Sequence, residues 1–334
     1  MQTMASLKDE DYTVAWICAL PLEATAARVM LDRTHSSPSR PNDSNAYDFG
    51  ELNCHDIVIA YLPNGVYGAV SAAAVAARMH VTFPRLQFAL MVGIGGGVPR
   101  KSHDIRLGDV VVGKPGKNHG GVIQYDYGKA VQNGQFEQTG FLNQPPQILL
   151  THMSQLESQQ MTGGEDAISN TIQAALERCP DMTSRFSAPT RNPDFLFRAS
   201  YHHIEKGADC EKCDKARVVN RPLRGTSAPQ VHFGLIASGN QVMKDSVKRD
   251  RLSEEHGILC FEMEASGLMN ELPTVVIRGI CDYCDSHKHD EWQGFAALAA
   301  AAYAKNLLTT IPPKKGIVIQ EQGMQLQASS TPIN

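Results

Sequence analysis

Apolar residues along this chain fall into two kinds of run. Short, nearly unbroken runs suit strands buried on both faces, and longer Ala-rich runs suit helices. VAWICAL, between Asp11 and Leu20, predicts a buried strand. Pro21 follows at a first helical position, and LEATAARVML continues with good helix formers. The Ser/Pro/Asn-rich stretch from Thr34 to Asn45 predicts a surface loop. Strands are expected at YDFGEL and HDIVIAYL, and a helix from Gly68 to Met79. FALMVGIGGGVP reads as a strand opening into a glycine-rich loop, and LGDVVVG as a further strand.

The middle, about residues 114 to 230, carries a weaker pattern. PPQILLTHMSQLE and EDAISNTIQAALERC predict helices. Asp181 to Gln230 is polar, with many Pro and Arg, and reads as a long excursion from the core. Regular signals then resume. Strands are expected at VHFGLIASG, ILCFEME and PTVVIRGICD, and helices at DSVKRDRLSEEHG and WQGFAALAAAAYAKNLLTTI. This alternation predicts an α/β domain with a parallel or mixed sheet, and no internal repeat is visible. Residues 1–10 and 313–334 are expected to be a flexible arm and tail around a domain at 11–312, with an insertion at about 181–230.

Composition narrows the function. Of 334 residues, 42% are hydrophobic and 20% charged, with a net charge of −4. No basic excess is present to track a phosphate backbone, so nucleic acid is not an expected partner. No apolar run reaches the roughly 18 residues that span a membrane. The start, MQTMASLKDEDY, lacks a signal-peptide pattern. The eight cysteines are scattered, several inside apolar runs, so a reducing, cytoplasmic setting is expected.

Four segments place polar or glycine residues at the ends of predicted strands, where open α/β folds build their sites. They are CALPLEA (18–24), VGIGGGV (92–98), FEMEAS (261–266) and IRGICDYCD (277–285). In this order they resemble the purine and uridine phosphorylase superfamily, which includes the methylthioadenosine and adenosylhomocysteine nucleosidases. FEMEAS is similar to that family's V-E-M-E-A ribose motif, and GICD to its A-I-S-D segment. GLIASGNQVM is similar to the G-L-I-V-S-G-D segment at the base pocket. The resemblance runs from about Thr13 to Leu308, excluding the excursion, and GNQVMKD and GICDYCDSHK are similar to nucleosidase-like domains of fungal proteins. It implies a three-layer nucleoside phosphorylase-like fold, with a central mixed, partly barrel-like sheet flanked by helices.

It also implies roles. Cleaving a purine N-glycoside passes through an oxocarbenium-like cation, and the leaving base needs a proton, most usefully at N7. Asp282 is the expected general acid, since burial after IRGIC raises a carboxyl pKa; a turn or helix-cap aspartate is the alternative. Asp285 either joins it or caps the segment leading to Trp292. Glu264 is expected on the ribose diol and Met263 against the sugar face, while Glu262 is either a ligand or a structural carboxylate. Val242 and Met243 are expected to border the purine, with Asn240 near the base edge. The family's aromatic ring is missing from this segment, leaving Phe195, Phe197 or Tyr201 of the excursion to supply stacking.

Phosphorylases of the family carry P-L-R and R-V-G-S runs that bind phosphate. Here stand Pro21-Leu22-Glu23 and Met91-Val92-Gly93-Ile94, so hydrolysis is expected, with Glu23 activating water. A first-turn helix carboxylate is the plainer reading of Glu23. Gly93, Gly95, Gly96 and Gly97, with Ile94, are expected to allow close backbone approach to ribose or water. The substrate is expected to be inosine, guanosine or adenosine, with no cofactor and at least a homodimer. A phosphorylase using Arg278 or the excursion's arginines, and a nucleoside-sensing module without turnover, are the competing readings.

Cys210 and Cys213 form a CxxC with His202 and His203 upstream, but the spacing is not that of a zinc finger, and no metal is expected. His287, Lys288 and His289 read as an exposed loop, and Arg191, Arg198, Arg217, Arg221 and Arg224 as a solvated face.

Overall fold

Strand β1 (Val14–Cys18) is buried along its whole length. Its alternation sends Val14, Trp16 and Cys18 into one apolar cluster, and Ala15 and Ile17 into a second on the opposite face. Burial on both faces is why the run is continuously apolar. The computed structural model describes residues 7–36, 40, 42–100, 102–132, 136–162, 166–190, 194–204, 210–287 and 290–313. After β1 come α1 (Pro21–Met30), β2 (Arg33–His35), β3 (Tyr47–Leu52), β4 (His55–Tyr61), α2 (Ala69–Thr82) and β5 (Phe88–Gly97). The middle holds β6 (Val110–Gly113), β7 (Val122–Gln124), β8 (Gly128–Ala130), β9 (Phe136–Gln138), α3 (Gln147–Met161), α4 (Ala167–Arg178) and α5 (Thr183–Phe186). The last third holds β10 (Val231–Ser238), α6 (Ser246–His256), β11 (Ile258–Glu262), β12 (Thr274–Asp282) and α7 (Gln293–Thr310).

Among the described residues, ten strands make one mixed sheet in the order β11-β10-β6-β12-β5-β1-β4-β3-β2, with β7 beside β10. β11 also pairs antiparallel with β5, setting Cys260 opposite Gly97 and Phe261 opposite Gly96. That pairing closes β5, β11, β10, β6 and β12 into a ring, so the sheet is part open and part barrel, as expected. Residues of α1, α3, α4 and α7 join the cluster on one face, and residues of α2 the cluster on the other.

Three local readings are corrected. The glycine run is strand, not loop: β5 continues through Gly97 because Gly96 and Gly97 pair with β11. None of these glycines has a positive φ, so they supply space rather than unusual backbone angles. Thr34 and His35 extend as β2 along the edge of β3, while 37–39 and 41 lie outside the described residues. The excursion's Arg221 and Arg224 are not solvated. Arg221 pairs with Asp194 inside the excursion at 2.6 Å and reaches Asp104 at 3.5 Å, and Arg224 pairs with Asp109 at 2.6 Å, so the last two contacts tie the excursion to the core. Arg217, by contrast, is exposed, and Arg191 lies outside the described residues.

Of the two terminal segments, Asp9–Asp11 form a 3-10 turn, and 1–6 and 314–334 are not described. No helix among the described residues is long and apolar enough to cross a membrane.

The small residues of α7 have a specific use. Ala296 to Ala302 are buried, and a Cβ on Gly279 of β12 would overlap the Ala296 carbonyl. Gly279→Ala is therefore expected to destabilise the protein by about 1–3 kcal/mol, the usual cost of overpacking. Urea unfolding checks this against Val81→Ala, at a position 82% exposed, which is expected to unfold like the wild type.

Candidate active site

The ends of β5, β11 and β12 and the first turn of α1 surround a cavity of about 680 Å³. Small-molecule sites commonly span about 300–1,000 Å³. Glu23, Ile94, Gly95, Gly96, Val242, Met243, Glu262, Met263, Glu264 and Asp282 all line it. Asn240 does not: its Oδ1 accepts the Ala69 N–H at 3.3 Å, serving an amide at the start of α2 that has no intrahelical partner. Gly93 and Gly97 lie behind the lining. A Cβ on Gly93 would overlap the Glu23 carboxylate, and one on Gly97 would lie 2.7 Å from Ile280.

Glu23 is the third residue of α1, and the helix start explains two of its three amide bonds. Its Oε2 accepts the Ala19 and Leu20 N–H groups at 2.7 and 2.9 Å, as a capping carboxylate does. Its Oε1 reaches across to β5 and accepts the Ile94 N–H at 2.8 Å. Burial raises its pKa, while Arg278 and the three amides work the other way.

Arg278, rather than a phosphate ligand, is the cation around which the carboxylates gather. It is fully buried in the middle of β12. Its Nη2 bonds Glu262 and lies 3.5 Å from Glu264, and its Nη1 lies 4.0 Å from Glu23. One cation thus faces three carboxylates. Burial, set against the pull of Arg278 and joined by repulsion from Glu262 and Glu23, lifts Glu264 to about 7. The signal was present as a charged residue inside VVIRGIC, which needs a buried partner. Glu262 also accepts the Glu264 and Ala265 N–H groups, at 3.1 and 2.9 Å, so its main work is holding the turn after β11.

Asp282 owes its aim to a register shift. β12 pairs regularly with β5 until Ile280, and then Asp282 falls opposite Gly96. A Cβ on Gly96 would sit 2.7 Å from Asp282 Oδ1, so the glycine makes room for the carboxyl. Asp282 accepts the Cys284 N–H at 2.8 Å and the Cys281 thiol at 3.6 Å. Burial, helped by the charge of Asp285, raises its pKa against those two donors. Asp285 itself does not line the cavity. It accepts the His287 N–H at 2.8 Å rather than capping the segment before Trp292.

The expected aromatic residues go elsewhere. Phe197 stacks on buried His287 at 4.1 Å, and Tyr201 packs beside it. His287 is thus interior rather than exposed, and Lys288 and His289 lie outside the described residues. The aromatic rings at the cavity are Phe261, Tyr67 and Phe186, and Arg185 and Phe186 bring the excursion to the site through α5.

A mixed sheet partly closed as a barrel, with carboxyl groups gathered at its strand ends, defines the nucleoside phosphorylase and nucleosidase class of fold. The chain belongs to the phosphorylase superfamily, whose family model matches residues 13–312. It is 46% identical over 311 residues to a nucleotide-binding leucine-rich repeat (NLR)-like protein of Hyaloscypha variabilis, covering 92% of this chain and 30% of that protein. It is 26% identical over 309 residues to the ATP nucleosidase Cap17 of Escherichia coli, covering 89% of this chain and 51% of that one. The chain therefore spans about half or less of these relatives. Among solved structures, it resembles a 5′-methylthioadenosine/S-adenosylhomocysteine nucleosidase of Neisseria meningitidis with a TM-score of 0.55 and 18% identity, covering 89% of this chain and 99% of that one. A futalosine hydrolase of Helicobacter pylori aligns with a TM-score of 0.58 and 15% identity, over 90% and 98% of the two chains. These last two share the fold.

Removing one partner of a buried ion pair strands the others. Arg278→Met is expected to cost about 3–5 kcal/mol. Glu264→Gln, which relieves crowding of like charge, is expected to unfold at or above the wild-type urea midpoint. A wild-type midpoint for Arg278→Met would overturn this account of the cluster.

Proposed function

We propose that this chain hydrolyses the N-glycosidic bond of a purine nucleoside, releasing free base and ribose. The observation that carries this reading is one cavity bordered by four carboxyl groups, those of Glu23, Glu262, Glu264 and Asp282, with Glu23 at the place where the resemblance puts a phosphate-binding arginine. Water attacks C1′ on the face opposite the base, and Glu23 takes its proton. The C1′–N9 bonding pair leaves with the base, and Asp282 delivers a proton to N7. Glu264 accepts hydrogen bonds from the ribose diol, Met263 lies against the sugar, and Val242 and Met243 border the base. The phosphorylase alternative loses support from Arg278, whose guanidinium is engaged by Glu262, Glu264 and the Ile94 carbonyl.

A second reading concerns the 5′ side. Arg185 lines the same cavity, and a guanidinium there suits a 5′-phosphate chain. The relative named ATP nucleosidase supports a purine nucleotide as substrate. Both readings place the chain in the cytoplasm as a homodimer or larger homo-oligomer. Exposed Val66, Tyr67 and Val70 at and near the cavity rim support a partner copy covering that edge.

Inosine, guanosine, adenosine and ATP, each with and without inorganic phosphate, separate these readings. Free base with ribose or ribose triphosphate, at a rate indifferent to phosphate, is the expected result. Recovery of ribose 1-phosphate would move the chain to the phosphorylases, and binding without turnover would make it a sensor. Glu23→Gln is expected to lower kcat sharply with KM nearly unchanged, since Glu23 touches the nucleophile and hardly the substrate.

Asp282→Asn is expected to cost roughly 10²–10⁴-fold on natural nucleosides and less on a nitrophenyl riboside, whose leaving group needs no proton. The pKa shifts set the pH dependence. Glu264, raised to about 7, must be ionised to accept from the diol, so activity falls below that pH. Asp282, also raised, must keep its proton, so activity falls again as pH rises through its pKa. A bell-shaped kcat/KM profile is the expected outcome, and Glu264→Gln is expected to alter its acidic limb.

A further inference from the structure

The excursion and the segment after β12 meet at a second cluster, outside the cavity. Cys210 and Cys213 are buried, and neither is in a disulfide. Their thiols and one ring nitrogen of His203 lie within 4.8 Å of one another. A zinc ion with Zn–S of about 2.3 Å and Zn–N of about 2.0 Å needs ligand atoms roughly 3.3–3.8 Å apart, a small side-chain adjustment away. A tight turn joins the cysteines, with the Cys213 N–H donating to the Cys210 carbonyl at 3.2 Å. Lys215 donates to the same carbonyl at 2.7 Å, placing a cation near the thiols.

An independent observation points to the same place. His287 is only 2% exposed, and neither ring nitrogen has a hydrogen-bond partner among the described residues. An imidazole buried without partners is costly, and such a group calls for a ligand. Its ring lies 5.4 Å from that of His203. Asp285 Oδ1 lies 3.5 Å from Nδ1, where a carboxylate can orient a metal-binding histidine. His287 stands next to the three-residue group but outside its 4.8 Å circle, so its side chain must shift toward the thiols to serve as a ligand. Phe197, packed against both cysteines and stacked on His287, gives the cluster an apolar wall.

We propose that Cys210, Cys213, His203 and His287 bind one structural zinc ion. Two thiolates and two imidazoles form a closed tetrahedral set, with no position left open for catalysis. The spacing of the CxxC and upstream histidines is not that of a zinc finger. The fourth ligand comes from a distant part of the chain, five residues past Asp282. The ion staples the excursion to the segment that follows the cavity's aspartate. This inference does not depend on the catalytic reading.

The test uses the full chain, purified in reducing buffer without chelator and analysed for metal by mass spectrometry. About one zinc per chain is expected, and Cys210→Ser/Cys213→Ser is expected to hold almost none. Stripping with dipicolinate is expected to lower Tm and speed proteolysis within residues 195–219, and zinc chloride is expected to restore both. If the double variant does not fold, wild-type protein loaded with cobalt answers instead. Thiolate-to-cobalt charge transfer and intense tetrahedral visible bands support the site, and His287→Ala is expected to perturb them. Protein that takes up no zinc even when zinc is supplied, or a Cys210–Cys213 disulfide in the reduced preparation, would overturn the proposal. So would a cobalt spectrum without thiolate bands.

Discussion

A guanidinium with no access to water organises this molecule's cavity. Arg278 sits in the middle of β12 between Ile277 and Gly279, and among the described residues its charge is balanced by carboxylates from other elements. Glu262 comes from the end of β11, Glu264 from the turn beyond it and Glu23 from α1. Each would be unfavourable to bury alone, and so would the arginine. Together they require β12, β11 and α1 to meet at one point. Burial, opposed by Arg278 and aided by repulsion from Glu262 and Glu23, raises the Glu264 carboxyl to about 7.

Glycine makes that meeting sterically feasible. A side chain on Gly93 would overlap Glu23, and one on Gly95 would sit 2.6 Å from the Cys260 sulfur. One on Gly96 would crowd Asp282 and Cys284. The run is therefore a bare strand against which α1, β11 and the bulged end of β12 can close. Barrel closure and cavity formation are one event here, because the β5–β11 pairing occurs at Gly96 and Gly97, directly behind the carboxyl groups. On the opposite side, Gly279 and the alanines of α7 allow a helix to lie against β12 at backbone distance.

The excursion is more than a decoration on this core. Arg221 and Arg224 bind it to Asp104 and Asp109, and α5 carries Arg185 and Phe186 to the cavity. Its Cys210–Cys213 turn and His203 face the segment after Asp282 through His287. This stretch thus contributes to the cavity wall and packs against the segment that follows Asp282. Polar, arginine-rich composition concealed this, because ion pairs formed on folding have no periodicity to read.

Local burial was legible in the sequence. Continuous apolar runs located the core strands, Ala-rich runs located α2 and α7, and the segments around Glu23, Glu264 and Asp282 marked strand ends that do line one cavity. Such patterns report which faces of a short segment are buried, and that is settled within a few residues. What only the tertiary structure decided is who meets whom. The extension of the glycine run as strand depends on β11, more than 160 residues away. The diversion of Asn240 to α2, the gathering of three glutamates on Arg278, and the placing of His287 against Phe197 and His203 rest on similar long-range pairings. Charge balance and steric room at such junctions are properties of the closed barrel, and no stretch of chain contains them by itself.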